Sequence, residues 1–294
     1  MNTITNRFRL AAVAALVLAM ATFAVAALLL GAQPALAGPV AWWKFDEAPG
    51  ALQAADSVGA HPGTLSGGAA FVAGGISQNA LSLDGTGLVN MGDNFQFTSG
   101  DFSILAWIQT ADGEDEWDSV FVAKHRPTVV AGYILVLNMS YYGSQGKVTF
   151  WQAQPADSAG TSTADVNNGE WHQVAVSYHA GGSAELYVDG APVEAAKPSC
   201  PIGGTDARFL IGGTDTLSGD LSPRFKGLID QVQLYDHALT SMDVQYQFEH
   251  PSELAPEPAT LSLLALGGLA VVARRRKKNG LADLPSGKGS GRHG

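Results

Sequence analysis

Only one cysteine, Cys200, stands in the 294 residues. An internal disulfide is therefore excluded, and so is a zinc site built on cysteines. Basic side chains are scarce in the middle of the chain: residues 38–258 hold 8 against 26 acidic ones, a net of −18. A segment of that charge repels nucleic acid and anionic membrane, so binding to a phosphate backbone is a poor account of it. No helical stripe longer than two turns runs between residues 39 and 250. The 35 glycines follow no three-residue period, which rules out collagen. A nucleophile-elbow serine, a zinc-binding histidine pair and a phosphate loop are all missing.

The ends differ from the body. Residues 1–37 carry Arg7 and Arg9, the apolar run Leu10–Gly31, and Ala35-Leu36-Ala37 before Gly38. Basic region, apolar region and small-x-small site together make a signal peptide for the Sec export machinery. The run is close to spanning length, so an uncleaved anchor is the rival reading. Either way the body is exported, to a setting that tolerates disulfides without requiring them.

At the other end, residues 251–258 form a linker that closes on Pro256-Glu257-Pro258. Ala259–Ala273 and the cluster Arg274-Arg275-Arg276-Lys277-Lys278 follow. Fifteen helical residues span about 22 Å, short for a ~30 Å hydrocarbon core, and the basic cluster stays on the cytoplasmic side. These features resemble the PEP-CTERM sorting signal of exopolysaccharide-producing Gram-negative bacteria. The resemblance implies a transmembrane sorting helix with its basic cluster over 259–278. It also implies recognition by an exosortase, cleavage near the Pro-Glu-Pro motif, and release or attachment at the cell surface. The tail 279–294 departs from that pattern and reads as flexible. An ordinary tail anchor is the alternative.

The body is a chain of short apolar runs separated by Gly, Asp and Asn, which predicts an all-β antiparallel sandwich. Phe102–Ile108 is nearly continuous apolar sequence, as in a central strand. Trp171–Tyr178 alternates, with Val174, Val176 and Tyr178 on one side. Asp84-Gly85-Thr86-Gly87 is a turn, Asp189-Gly190 signals a tight hairpin, and Ser241–Phe248 is the one helical candidate. Trp107 and Trp171 are expected in the core, and His172 is expected to be structural.

Six segments in order carry a resemblance: Trp42–Glu47, Ala80–Gly85, Asp101–Ile108, Gly169–Tyr178, Glu185–Gly190 and Gly227–Leu239. Together they resemble a LamG-like domain of the concanavalin A-like lectin/glucanase superfamily, over residues 38–250. The resemblance implies a jelly roll of two packed antiparallel sheets, one concave. Such a domain binds carbohydrate or protein, often with a calcium ion.

Strand alternation places Leu228, Asp230, Val232 and Leu234 on one otherwise apolar face, where an unpaired carboxylate is costly. The resemblance suggests a cation where the first and last strands meet, and Asp46 and Asp84 could add carboxylates to Asp230. Calcium takes six to eight oxygens, so a structural Ca2+ is one account of these three residues. Backbone amides, Lys44 or Lys226 are the other.

The superfamily's glucanases carry Glu-x-Asp-x-x-Glu on one strand. The nearest match here, Glu116-Trp117-Asp118-Ser119-Val120-Phe121, ends in phenylalanine and lacks the acid–base partner. Asp112–Asp118 reads as a solvated acidic loop or a second cation site. His125 and Arg126 stand at a strand end beside Pro127. Tyr141, Tyr142, Trp117 and Trp151 are candidates either for stacking on sugar rings or for the core. Three functions follow: a surface or matrix protein that binds extracellular polysaccharide, a structural module for a surface protein partner, and a glycan hydrolase. The incomplete carboxylate motif puts the hydrolase last.

Overall fold

The computed structural model describes residues 38–111, 119–126, 131–138, 145–153, 158–193 and 201–254. The signal segment, residues 112–118 with Trp117, Tyr141, Tyr142, Cys200, Pro256, Glu257, Pro258, the apolar run after them, Arg274, Arg275, Arg276 and the tail lie outside these residues. Among the described residues no helix is long and apolar enough to cross a membrane. Gly38–Ala255 form one compact unit.

The strands begin with β1 (Ala41–Trp43), β2 (Gln53–Ala54), β3 (Gly63–Ser66), β4 (Ala70–Ala73), β5 (Asn79–Asp84) and β6 (Leu88–Asn90). Next come β7 (Phe102–Gln109), β8 (Ser119–His125), β9 (Gly132–Leu137), β10 (Lys147–Ala153), β11 (Ser158–Asp165) and β12 (Trp171–His179). The last are β13 (Ser183–Val188), β14 (Ala191–Pro192), β15 (Phe209–Ile211), β16 (Gly213–Asp215), β17 (Leu221–Pro223) and β18 (Lys226–Tyr235), followed by helix α1 (Ser241–Glu249). The first sheet runs β14-β13-β12-β7-β18-β5-β4, with β1 also paired to β18. The second runs β11-β10-β9-β8-β15-β6-β3-β2, and β16–β17 form a separate hairpin. Pairing is antiparallel, as in β12 with β7 and β10 with β9. The predicted jelly-roll sandwich is present.

The pattern of side chains explains the two layers. Phe102, Ile104, Ala106 and Ile108 of β7 and Val174, Val176 and Tyr178 of β12 enter the core, where Phe121, Leu135, Leu137, Val148 and Phe150 of the second sheet meet them. Trp43 on β1 stacks on Phe209 on β15 with ring centroids 5.7 Å apart, joining one sheet to the other. Such ring pairs add about 0.5–1.5 kcal/mol beyond their buried area.

The Asp189-Gly190 signal forms the β13–β14 hairpin, both residues having positive φ (51° and 75°), as a type I′ turn requires. The Asp84–Gly87 turn has another role: β5 lies in the first sheet and β6 in the second, so it hands the chain across the sandwich. Thr240 caps α1, its hydroxyl accepting from the Asp243 amide while the Asp243 carboxylate accepts from the Thr240 amide.

Two sequence expectations need correction. Trp107 is buried as expected, but outside the main apolar cluster and stacked on Phe248 of α1 at 5.5 Å, while Trp171 is only half-buried. Alternation also fails along β18, because its pairing with β7 slips between Asp230 and Gln233 and Gln231 has φ 48°. Ile229, Val232 and Leu234 therefore face the core, and Asp230 sits on the bulge rather than among them.

Candidate ligand-binding face

The bulge takes Asp230 to the β4–β5 hairpin. Its Oδ2 accepts from the Ile76 amide at 2.7 Å and its Oδ1 from the Gln231 amide at 2.7 Å. A Cβ on Gly75 would lie 2.7 Å from Oδ2, so only glycine lets that backbone come so near. Burial pushes the Asp230 carboxyl up to about 7; the charge of Asp46 adds to the rise, and the amides of Ile76, Gln231 and Ser77 oppose it. Asp46 accepts from the Asn79 amide at 3.2 Å.

Asp84 stands apart. It pairs in register with Lys226, four residues along β18 from Asp230, and accepts from the Thr86 amide (2.8 Å) and hydroxyl (2.7 Å). The Thr86 hydroxyl, then its amide, hold the Asp84 carboxyl below the usual carboxylate range. Asp46 and Asp230 are thus brought into electrostatic contact, and Asp84 is not with them. No group of three His, Cys, Asp or Glu suited to a metal occurs among the described residues. The pair offers only oxygen donors, and Glu47 Oε2 beside Asp46 is buried without a hydrogen-bond partner.

The second sheet has a face turned away from the core. Register aligns Val120, Val136, Thr149 and Thr161 in one row across β8–β11, and Leu210, Ala123, Ile134, Trp151 and Ala159 in the next. The Thr149 and Thr161 hydroxyls lie 3.0 Å apart. Trp151 is only 8% exposed and meets the His125 ring edge-on at 4.7 Å. His125, at the strand end, is thus buried against Trp151, and Arg126 beside it keeps part of its surface exposed. The eight strands of this sheet carry a single carboxylate, Asp165.

At the end of that face the β16–β17 hairpin packs against β8, with the Thr214 hydroxyl donating to the His125 carbonyl at 3.1 Å. Asp215 is fully buried there. It accepts from Arg208 Nε (2.8 Å), Arg208 Nη2 and the Arg208 amide (3.0 Å), and Arg126 Nη2 lies 3.6 Å away. Arg126 Nη1 pairs with Asp206 at 3.1 Å. Sequence reasoning missed Asp215, Arg208 and Asp206, because 80 or more residues separate Arg126 from each of them. The one available signal was that 38–254 contain just three arginines, 126, 208 and 224. His172 is structural as expected: its ring nitrogens meet Asp189 at 2.8 Å and Asn168 at 3.1 Å.

A family model for the concanavalin A-like lectin/glucanases superfamily, Laminin_G_3, matches residues 83–245. One for the PEP-CTERM protein-sorting motif matches residues 254–277, which marks the chain for export and sorting to the cell surface. No curated protein matches significantly. Among solved structures the chain is similar to domain 4 of AbnA, an extracellular GH43 arabinanase from Geobacillus stearothermophilus, solved in complex with arabinotriose. That likeness has a TM-score of 0.56 at 23% identity, over 71% of this chain and 97% of that one. It is also similar to the binding domain of Paraclostridial Mosquitocidal Protein 1 (TM-score 0.53, 14% identity, 72% and 51% covered). The receptor binding domain of botulinum neurotoxin D is a further neighbour (TM-score 0.51, 13% identity, 72% and 52% covered). The chain spans about half of each of these two toxin fragments. The first family model covers more than half of the 294 residues, and the chain belongs to the concanavalin A-like lectin/glucanases superfamily.

Proposed function

We propose that this exported protein presents its sandwich at the cell surface as a non-catalytic, glycan-binding adhesion module. The observation that carries this reading is the lone carboxylate in the eight strands of the second sheet. Retaining hydrolysis needs two carboxyl groups about 5–5.5 Å apart, and inverting hydrolysis two about 6.5–9.5 Å apart. Along the rows of that sheet Thr161 keeps part of its surface exposed, while Thr149 is buried and Trp151 takes the core alternative, in a buried apolar cluster with Val120, Ala123, Ile134 and Val136. Similarity to a domain solved with arabinotriose and to toxin binding domains supports a binding role. Binding of residues 38–255 to a glycan array tests it. Saturable retention of at least one glycan is expected, and a blank array contradicts it.

One observation favours a second reading, a protein-interaction module without sugar specificity. The large apolar side chains exposed among the described residues are Leu52, Val58, Leu217, Met242 and Leu254, none of them aromatic. A blank array with retained protein partners would establish that reading. In either case Sec export and an exosortase-type enzyme acting near Pro256–Pro258 are the processing partners.

We also propose a structural calcium ion between Asp46 and Asp230, without Asp84. Oxygen-only donors, and no basic partner on Asp230 among the described residues, suit a hard cation. Its role is to tie the start of the chain to its last strand. Thermal melts with calcium and with chelator test it, and an unchanged midpoint rejects it.

A further inference from the structure

We infer that the groove between helix α1 and the β13–β14 hairpin holds a protonated amino sugar. This rests on the glycan-binding reading and names a site and a ligand class for it. The groove has a volume of about 460 Å³, within the roughly 300–1,000 Å³ of small-ligand sites. Ala191 and Pro192 of β14 form one wall, and Met242, Gln245, Tyr246 and Glu249 of α1 form the other. This lining reaches solvent: Ala191, Pro192, Met242 and Glu249 are exposed, and Gln245 and Tyr246 are partly so.

Both walls are fixed before a ligand arrives. The hairpin turns through Asp189 and Gly190 at positive φ, and its tip abuts the helix, since a Cβ on Gly190 would lie 2.7 Å from Gln245 Oε1. Thr240 caps the helix, and the Tyr187 hydroxyl of β13 lies 3.2 Å from Ser241 Oγ. His250, outside the lining, stacks on the Tyr246 ring with centroids 4.3 Å apart. A preformed site loses less freedom on binding.

The lining defines the class of ligand. Met242, Pro192 and the Tyr246 ring offer apolar surface to the C–H face of a pyranose, and Gln245 and Glu249 offer an amide and a carboxylate to its polar groups. Gln245 Nε2 donates to Glu249 Oε1 at 2.8 Å, which holds that carboxylate in place. Among the described residues that line the groove, Glu249 is the one charged side chain, with no Lys, Arg or His. An ammonium substituent complements this carboxylate, and the Tyr246 ring adds cation–π attraction. The net −18 of residues 38–258 draws a polycation from a distance and repels an acidic glycan.

The test titrates the full chain with three probes of matched length: glucosamine oligomers, N-acetylglucosamine oligomers and oligolysine. Mildly acid buffer keeps the sugar amines protonated. The inference expects the glucosamine oligomers to bind most tightly. E249Q should weaken that binding about fivefold, the upper end for an exposed ion pair. A191W, which fills the groove, should abolish it. Both positions are exposed, so both variants should melt as the wild type does. D165N removes one equal charge from the second sheet and should leave the affinity unchanged. Wild-type affinity in folded E249Q and A191W overturns the inference. An equal loss in D165N, or oligolysine bound as tightly, reduces the effect to the charge of the whole body and also overturns it. Preference for the N-acetylated oligomers overturns it and leaves the glycan-binding reading standing. Binding of none of the three, by a chain that does bind on a wider glycan array, overturns the inference alone; a blank array overturns both.

Discussion

Lys147 on β10 and Asp165 on β11 stand opposite each other and form an ion pair at 3.2 Å. Asp165 is the one carboxylate in the strands of the second sheet, and this lysine occupies it. With Asp165 65% exposed, such a pair contributes between nothing and about 1 kcal/mol. D165N should change urea-unfolding stability by less than about 1 kcal/mol and leave glycan retention intact. A folded D165N protein that loses retention would place Asp165 in the ligand site.

Gly190 is held by its surroundings more tightly than by its turn alone. Its φ is 75°, and an added Cβ would lie 2.7 Å from Gln245 Oε1 and 3.0 Å from Phe248 Cβ. G190A should cost about 1–3 kcal/mol and loosen the Trp107–Phe248 stack. Chemical denaturation measures the first effect and near-ultraviolet circular dichroism the second.

Asp230 should make stability depend on pH in the presence of chelator. Burial raises its carboxyl from 3.8 to about 7, so the folded chain keeps a proton that the unfolded chain releases at lower pH. Its contribution is complete below about pH 4, declines as pH rises towards about 7, and changes no further above that. Melting midpoints in chelator from pH 4 to 8 should follow this fall. If the proposed calcium binds, adding it should remove this fall, since a bound cation would hold the carboxylate ionised. D230N has no group to titrate here, so its melting midpoint in chelator should lack this fall between pH 4 and 8.

Local rules carried the fold well. The φ > 0 demand of Asp189-Gly190, the alternation of Trp171–Tyr178 and the helix after Thr240 are decided by neighbours in sequence, and each stands as expected. Strands β3 and β4 gave little signal because each is only four residues long, and β11 is mostly Ser, Thr and Ala. The β18 bulge is invisible in a hydrophobic pattern, since Gln231 carries no mark of its positive φ, and this misplaced Asp230. Asp84 looked like a cation ligand only because its local bond to Thr86 could not be weighed against distance from Asp230. The Arg126–Asp215–Arg208 group is assembled entirely by long-range packing.

The central claim is binding without cleavage. The most direct measurement incubates the full chain with the glycan it retains best and follows both retention and reducing-end release. The account predicts saturable retention with polymer length unchanged. New reducing ends, absent with a denatured control, would contradict it.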